Sequence, residues 1–455
     1  MKVIILGAGQ VGYNMALYLA NEDHHVTVVD HSSELLKRIS DVSDIQPILG
    51  HASHPEVLTK AGAANADLLI AVTGSDEVNM VACEVVNSLF EVKTKIARIR
   101  HQSYLNPEFQ ELFSKHHLSI DVVISPEIEI AKSIHRSLEV PGAFDVVTIP
   151  QSPLKIIGLH CGVGSPLLNT SLKLLGTIVH DCDFVVLSIT RSGQPMIPKR
   201  DEQLLPGDDI YILSRQEEVS KVMAHFGYTK DQKQKCVIVG AGNVGLTLAK
   251  MIEEEGNAKA RIIEFNPTKA EAAARTLKDA EVFCGDGLDL EILQEANISS
   301  SDMVVCVTAD DKVNILSGLL CKRQGGKRSM VLLNNMVYAP LVSSLGVDAI
   351  ISPKTITAST ILKHIRQGKL NSLCSFSQGF GEILEIQVDE SLSSTQLSCQ
   401  DIQKSGEILL AAVIRKEEVF ILPTKQNLQP GDRLILAVRQ ESLYYLEEVF
   451  DFLAS

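Results

Sequence analysis

The chain has 455 residues, 45% of them hydrophobic and 22% charged, with a formal net charge of −14. That is material for three or four domains at ~100–200 residues each. The acidic balance excludes a nucleic-acid binder, which needs a basic footprint, and disfavours adsorption to anionic lipid. Apolar runs such as Ile408–Ile414 fall far short of the ~20 residues needed to span a bilayer. Met1 and Lys2 lead directly into an apolar run with no room for a signal peptide, so a soluble, intracellular protein is expected.

Val3-Ile4-Ile5-Leu6 reads as a buried parallel strand, and Gly7-Ala8-Gly9-Gln10-Val11-Gly12 follows it. Val11, Met15, Tyr18 and Leu19 then mark the core face of a helix. In a Gly-x-Gly-x-x-Gly turn the first glycine allows the tight bend and the second lets backbone N–H groups approach a pyrophosphate. The third lets helix and strand pack closely. The helix N-terminus adds partial positive charge. The next strand, Val26-Thr27-Val28-Val29, ends in Asp30, placed to accept both ribose hydroxyls of an adenosine. His31 and Ser32 follow it rather than an arginine, which favours NAD over NADP.

Further strands are read at Pro47–Gly50, Asp67–Thr73, Lys95–Arg100 and Asp121–Ile124, alternating with helices, one of which starts near Ser32. This is the pattern of a doubly wound parallel sheet. The residues at its C-terminal edge are Asp30, Gly50-His51, Thr73-Gly74-Ser75, Arg98 and Arg100. The two arginines, at alternate positions of one strand, are expected on one face, where they meet phosphates or an acidic neighbour. Ser125-Pro126 opens a helix with an apolar face at Ile128, Ile130, Ile134 and Leu138. That face suits either a subunit interface or packing within one subunit.

From about Val140 polar and apolar residues alternate. A hairpin is expected from Phe184–Arg191 through Ser192-Gly193 to Met196, and a turn at Pro206-Gly207-Asp208 precedes a strand over Ile210–Leu213. This small α+β domain ends near Gly227, and residues 228–234 form a polar linker.

The pattern then repeats. Cys236–Val239 precedes Gly240-Ala241-Gly242-Asn243-Val244-Gly245, and Ile262-Ile263 ends in Glu264. Gly50, Asp67, Thr73, Asp76 and Asn79 recur as Gly285, Asp302, Thr308, Asp311 and Asn314 at a constant offset of 235 residues. Ser352-Pro353 opens a second crossover helix (Ile356, Ile361, Leu362, Ile365), and Pro430-Gly431-Asp432 answers the earlier turn. The fold class is therefore α/β, with two tandem Rossmann-like doubly wound parallel sheets, each followed by a small α+β domain. The boundaries are 1–140, 141–228, 233–369 and 370–455. The copies are not chemically equal: His51 becomes Asp286, and Arg98 and Arg100 align with Leu332 and Asn334.

Nine scattered cysteines without a Cys-x-x-Cys read as reduced core thiols, and His24, His25, His51, His54 and His101 as surface histidines. No acid/base is set beside a nicotinamide site, and there is no Ser-His-Asp order, His-Glu-x-x-His or Walker lysine. The chemistry on offer is binding.

The doubled order of glycine-rich fold, Ser-Pro crossover and Pro-Gly-Asp domain resembles the peripheral subunits of Trk-type potassium uptake systems. These belong to the family of domains that regulate the conductance of potassium channels and transporters. The motifs that carry the resemblance are Gly7–Gly12, Asp30, Gly50-His51-Ala52-Ser53, Ala71-Val72-Thr73 and Asp76-Glu77-Val78-Asn79. It implies a non-enzymatic regulatory subunit, a ring and commonly a homotetramer, on the cytoplasmic face of the inner membrane. Such a ring docks under a separate potassium-conducting membrane subunit, with NAD(H) and adenine nucleotides (ATP or ADP) bound and gating dependent on them. The competing class is an NAD-dependent oxidoreductase.

Overall fold

In the first compact unit of the computed structural model, residues Met1–Ile130 together with Pro353–Ile365, a six-stranded sheet forms the centre. The strand order is Ile45–Leu49, His25–Asp30, Lys2–Leu6, Leu68–Ala71, Thr94–Arg98, Val122–Ile124. All of its neighbours run parallel. The structure describes residues 1–21, 24–40, 45–114, 116–149, 152–162, 164–228, 233–256, 258–365, 371–377, 380–388, 408–416, 418–421, 428–439 and 442. Most of the linker read at 228–234, and Cys399, lie outside them.

Strand alternation explains the continuous apolar runs. Val3, Ile5 and Ile70 join the core on one face of the sheet, and Ile4, Leu6 and Leu69 join the core on the other. Pro47 is tolerated because its strand lies at the sheet edge. The helix Gln10–Asn21 buries Met15, Ala16 and Leu19. Against this face packs Ile361, fully buried, from the helix Pro353–Ile365.

The second unit comprises Ala131–Ser352 and residues 366–455. Its parallel sheet repeats the first order: Glu281–Cys284, Ala258–Glu264, Gln234–Val239, Met303–Cys306, Ser329–Leu332, Ala349–Ile351. Two antiparallel sheets belong to the same unit. One runs Gln194–Met196, Phe184–Arg191, Asp209–Arg215, Leu154–His160, Ala143–Thr148. The other runs Asn371–Phe376, Gly381–Gln387, Arg433–Arg439, Ile408–Arg415, Glu418–Ile421. Ser192 and Gly193, both at positive φ, make the expected hairpin turn.

The two antiparallel sheets share one core. Ile156, Leu187 and Leu213 of the first pack with Ile383, Ile414 and Ile435 of the second. Arg215 also donates from Nη2 to the Val419 carbonyl at 2.6 Å. The crossover helix Pro126–Glu139 buries Ile130, Ile134 and Leu138. Both crossover helices therefore pack within the chain, while the side chains of Leu362 and Ile365 lie outside the described residues.

Among the described cysteines, burial pushes the thiols of Cys83, Cys161, Cys236 and Cys321 up to about 12. Cys284, at a strand end, is exposed instead of lying in the core.

Candidate functional site

The two central strands of the first parallel sheet, Lys2–Leu6 and Leu68–Ala71, send their connections to opposite sides. Their C-terminal ends form the crevice where such sheets hold ligands. Gly7 sits there at φ +108°, and a β-carbon on it would come within 3.0 Å of the Thr73 nitrogen. A β-carbon on Gly12 would collide with the Gly7 carbonyl oxygen. Gly9 differs: nothing lies within 4 Å of the place its β-carbon would occupy. Two glycines thus serve the backbone of the turn, and the middle one leaves open space beside the loop. Gly240, Gly242 and Gly245 repeat this arrangement, with Gly240 at φ +109° and open space at Gly242. Gln10 and Asn243 open their helices with exposed side chains, while Val11 and Val244 turn inward.

Asp30 is 8% exposed. Its Oδ2 accepts the Ala8 N–H at 2.7 Å and its Oδ1 the Ser32 N–H at 2.8 Å. Glu264 does the same in the second fold, accepting from Ala241 at 2.6 Å and Asn266 at 2.9 Å. Each acid braces the glycine loop, and a carboxylate has more lone pairs than these two bonds use.

Around Thr73 lies a network whose members the sequence repeat marked without a role. Asn79 Oδ1 accepts from the Thr73 nitrogen at 2.9 Å and from Thr73 Oγ1 at 2.7 Å. Asn79 Nδ2 donates to the Arg98 carbonyl at 2.9 Å. Asn314 makes the same bonds to Thr308 and to the Leu332 carbonyl. This places Arg98 and Leu332 at equivalent positions by geometry as well as by alignment. Asp76 Oδ2 accepts the N–H groups of Arg100 and His101 at 2.9 and 2.8 Å. That capture ends the strand at Arg98, two residues before the sequence expectation.

The arginines differ accordingly. Arg98 is 7% exposed and donates from Nη2 to the Thr73 carbonyl at 2.6 Å, while its buried Nε has no hydrogen-bond partner. Burial, with Arg100 nearby, brings its guanidinium down to about 10. Arg100 is exposed. Glu127, the second residue of the crossover helix, is electrostatically coupled to both, and burial raises its carboxyl above the ordinary range. An acidic neighbour for the pair is thus present, though the sequence reading named none.

His51 is exposed, stacked on His54 with ring centroids 4.6 Å apart, and its Nδ1 lies 3.0 Å from Ser53 Oγ. Ala52 is buried beneath. At the second edge Asp286 is exposed, and its Oδ1 accepts the Leu288 N–H at 2.9 Å. Leu332 is buried, Asn334 binds Asp311, and Phe265, following Glu264, is 74% exposed. The first edge therefore carries two arginines where the second carries Leu332 and Asn334.

A family model described as the TrkA-N domain matches residues 3–126 and again residues 236–353. The chain is 39% identical over 452 residues to the Trk system potassium uptake protein TrkA of Azorhizobium caulinodans, covering 99% of this chain and 98% of that protein. It is 35% identical over 439 residues to the protein of that name from Vibrio alginolyticus, covering 96% and 95%. Against the TrkA homolog 1 of Methanosarcina mazei the identity is 30%, covering 99% and 100%. Among solved structures, the RCK domain of GsuK superposes with a TM-score of 0.62 at 18% identity, covering 100% of this chain and 94% of that one. The GsuK channel bound to NAD gives the same TM-score and identity, with 100% and 78% covered. At that identity the likeness is one of fold.

Proposed function

Because the chain belongs to the TrkA family of Trk-system potassium uptake proteins, we propose that it is a cytosolic regulatory subunit gating a separate potassium-conducting membrane protein in response to NAD(H) and adenine nucleotides. The observation that carries the nucleotide part is the open space over Gly9, between the braced loop at Asp30 and the Thr73 edge. There a pyrophosphate would meet N–H groups at a helix N-terminus, and Asp30 would take the ribose. His51, Ala52, Thr73, Arg98 and Arg100 would line the rest of the first site. Gly240, Gly242, Asn243, Val244, Gly245, Glu264 and Asp286 would form the second, with its own ligand preference. Among the described residues no helix is long and apolar enough to cross a membrane, which fits a subunit bound peripherally to the cytoplasmic face. The reading includes a homotetrameric ring and domains at 1–140, 141–228, 233–369 and 370–455.

Gating needs two states that contact the nucleotide differently, and a coupling of ~1–3 kcal/mol is the usual scale. The test is potassium flux in proteoliposomes holding the membrane partner, with and without this protein, as ATP or NADH is varied. Flux should change with nucleotide. Gly9→Val fills the open space without disturbing the turn, so it should blunt the response while the protein still folds. Flux indifferent to the protein and to every adenine nucleotide would remove the regulatory reading. Consumption of NADH with a small substrate would put an oxidoreductase in its place.

A further inference from the structure

In the second compact unit, three potential metal ligands converge away from both glycine loops. His135 and Glu139 lie one turn apart on the crossover helix Pro126–Glu139, hence on one face. Glu255 is the last residue of the helix Asn243–Glu255. One ligand atom from each lies within 4.8 Å of the others, and His135 Nε2 is 3.6 Å from Glu255 Oε2.

Two further observations point to a cation. His135 is 4% exposed, and its Nε2 is buried with no hydrogen-bond partner although it faces the two carboxylates. A buried imidazole nitrogen that makes no hydrogen bond is unfavourable unless something occupies it. Moreover, both carboxylates stand at the C-terminal ends of their helices, where the backbone dipoles already concentrate negative charge. Lys155 stands 3.5 Å from Glu139.

We propose that His135, Glu139 and Glu255 bind one divalent transition-metal ion of the zinc class, which fastens the crossover helix to the first helix of the second parallel fold. One imidazole nitrogen and two carboxylate oxygens suit such an ion, with water completing the shell. Ligand atoms ~2.0–2.2 Å from a zinc centre stand ~3.2–3.6 Å apart in a tetrahedron. From separations of up to 4.8 Å the group needs to contract by up to ~1.2–1.6 Å, within reach of the exposed Glu255 side chain. Lys155 is the competitor that the ion displaces from Glu139.

The test uses the full-length protein stripped with a chelator and titrated with Co²⁺, followed by visible absorption and calorimetry. One Co²⁺ per chain should bind with ligand-field bands and no thiolate charge transfer. His135→Gln and Glu255→Gln should each weaken that site at least ~10-fold, the lower bound being the loss seen for mere outer-shell partners. Lys155→Met should tighten it, an effect that a simple His–Glu ion pair does not produce. Zinc should raise the melting temperature of the wild type but not of Glu255→Gln; if His135→Gln fails to fold, Glu255→Gln decides. Equal Co²⁺ binding by wild type and Glu255→Gln, binding only with thiolate bands, or no binding would overturn the proposal.

Discussion

Asp30 accepts the Ala8 N–H with one carboxylate oxygen and the Ser32 N–H with the other, at 2.7 and 2.8 Å. Its charge therefore shapes the glycine loop, and in the proposed site the same carboxylate would also take the ribose. Glu264, one methylene longer, makes the same pair of bonds in the second copy. Asp30→Ala is expected to weaken NADH binding by ~1.5–3 kcal/mol, the scale of hydrogen bonds to a charged group. Glu264→Ala should leave the first-site titration unchanged. Calorimetry on both variants checks this, and unchanged affinity in Asp30→Ala would take the residue out of the site.

At the scale of elements, the Pro-Gly-Asp turns show why a motif survives duplication. Gly207 and Gly431 sit at φ +89° and +88°. The following aspartates, each 1% exposed, bind an arginine at the end of a neighbouring strand through two nitrogens. Asp208 takes Arg191 at 2.9 and 2.9 Å, and Asp432 takes Arg415 at 2.8 and 2.8 Å. Burial pulls the Asp432 carboxyl upward, yet Arg415 and the Gln429 N–H hold it below the ordinary range. Its contribution is therefore fully present above the unfolded value of ~3.9 and is lost as pH falls through the lower folded value. Asp432→Asn is expected to cost about 2–3 kcal/mol at neutral pH. That is less than the ~3–5 of a fully buried pair, because Arg415 is one-quarter exposed. Amide exchange in Arg433–Arg439 reads this loss, and wild type and variant should begin to converge below pH ~4 and meet only once pH has fallen through the lower folded value.

For the molecule as a whole, the first compact unit is discontinuous in sequence. Pro353–Ile365 follows the second parallel sheet along the chain, yet Ile361 is fully buried in the first unit's core beside Met15 and Leu19. A fragment of residues 1–140 lacks that cover. Losing Ile361 alone forfeits ~1.5–3 kcal/mol of burial. The fragment should unfold at lower urea than the same region of the full chain, bind a hydrophobic dye and self-associate. An unchanged midpoint with no dye binding would mean that the helix contributes nothing there.

The sequence by itself determined what depends on local rules: the glycine turns, the acid at the end of the next strand, the hairpin at Ser192-Gly193 and the doubled order of sheets. These follow from φ requirements and from apolar periods that any short window displays. Asp76 and Asn79 were visible as repeated residues, but the Arg98 carbonyl and the Arg100 and His101 N–H groups that they hold lie 19 to 25 residues away at the end of another strand, so their bracing roles were not. The burial of Arg98 beside an exposed Arg100, the single core joining the two antiparallel sheets, and the meeting of His135 with Glu255 were decided only by tertiary structure. An amphipathic pattern states which face of an element must leave water. It does not state which distant segment will cover that face, and that choice rests on the packing of the complete chain.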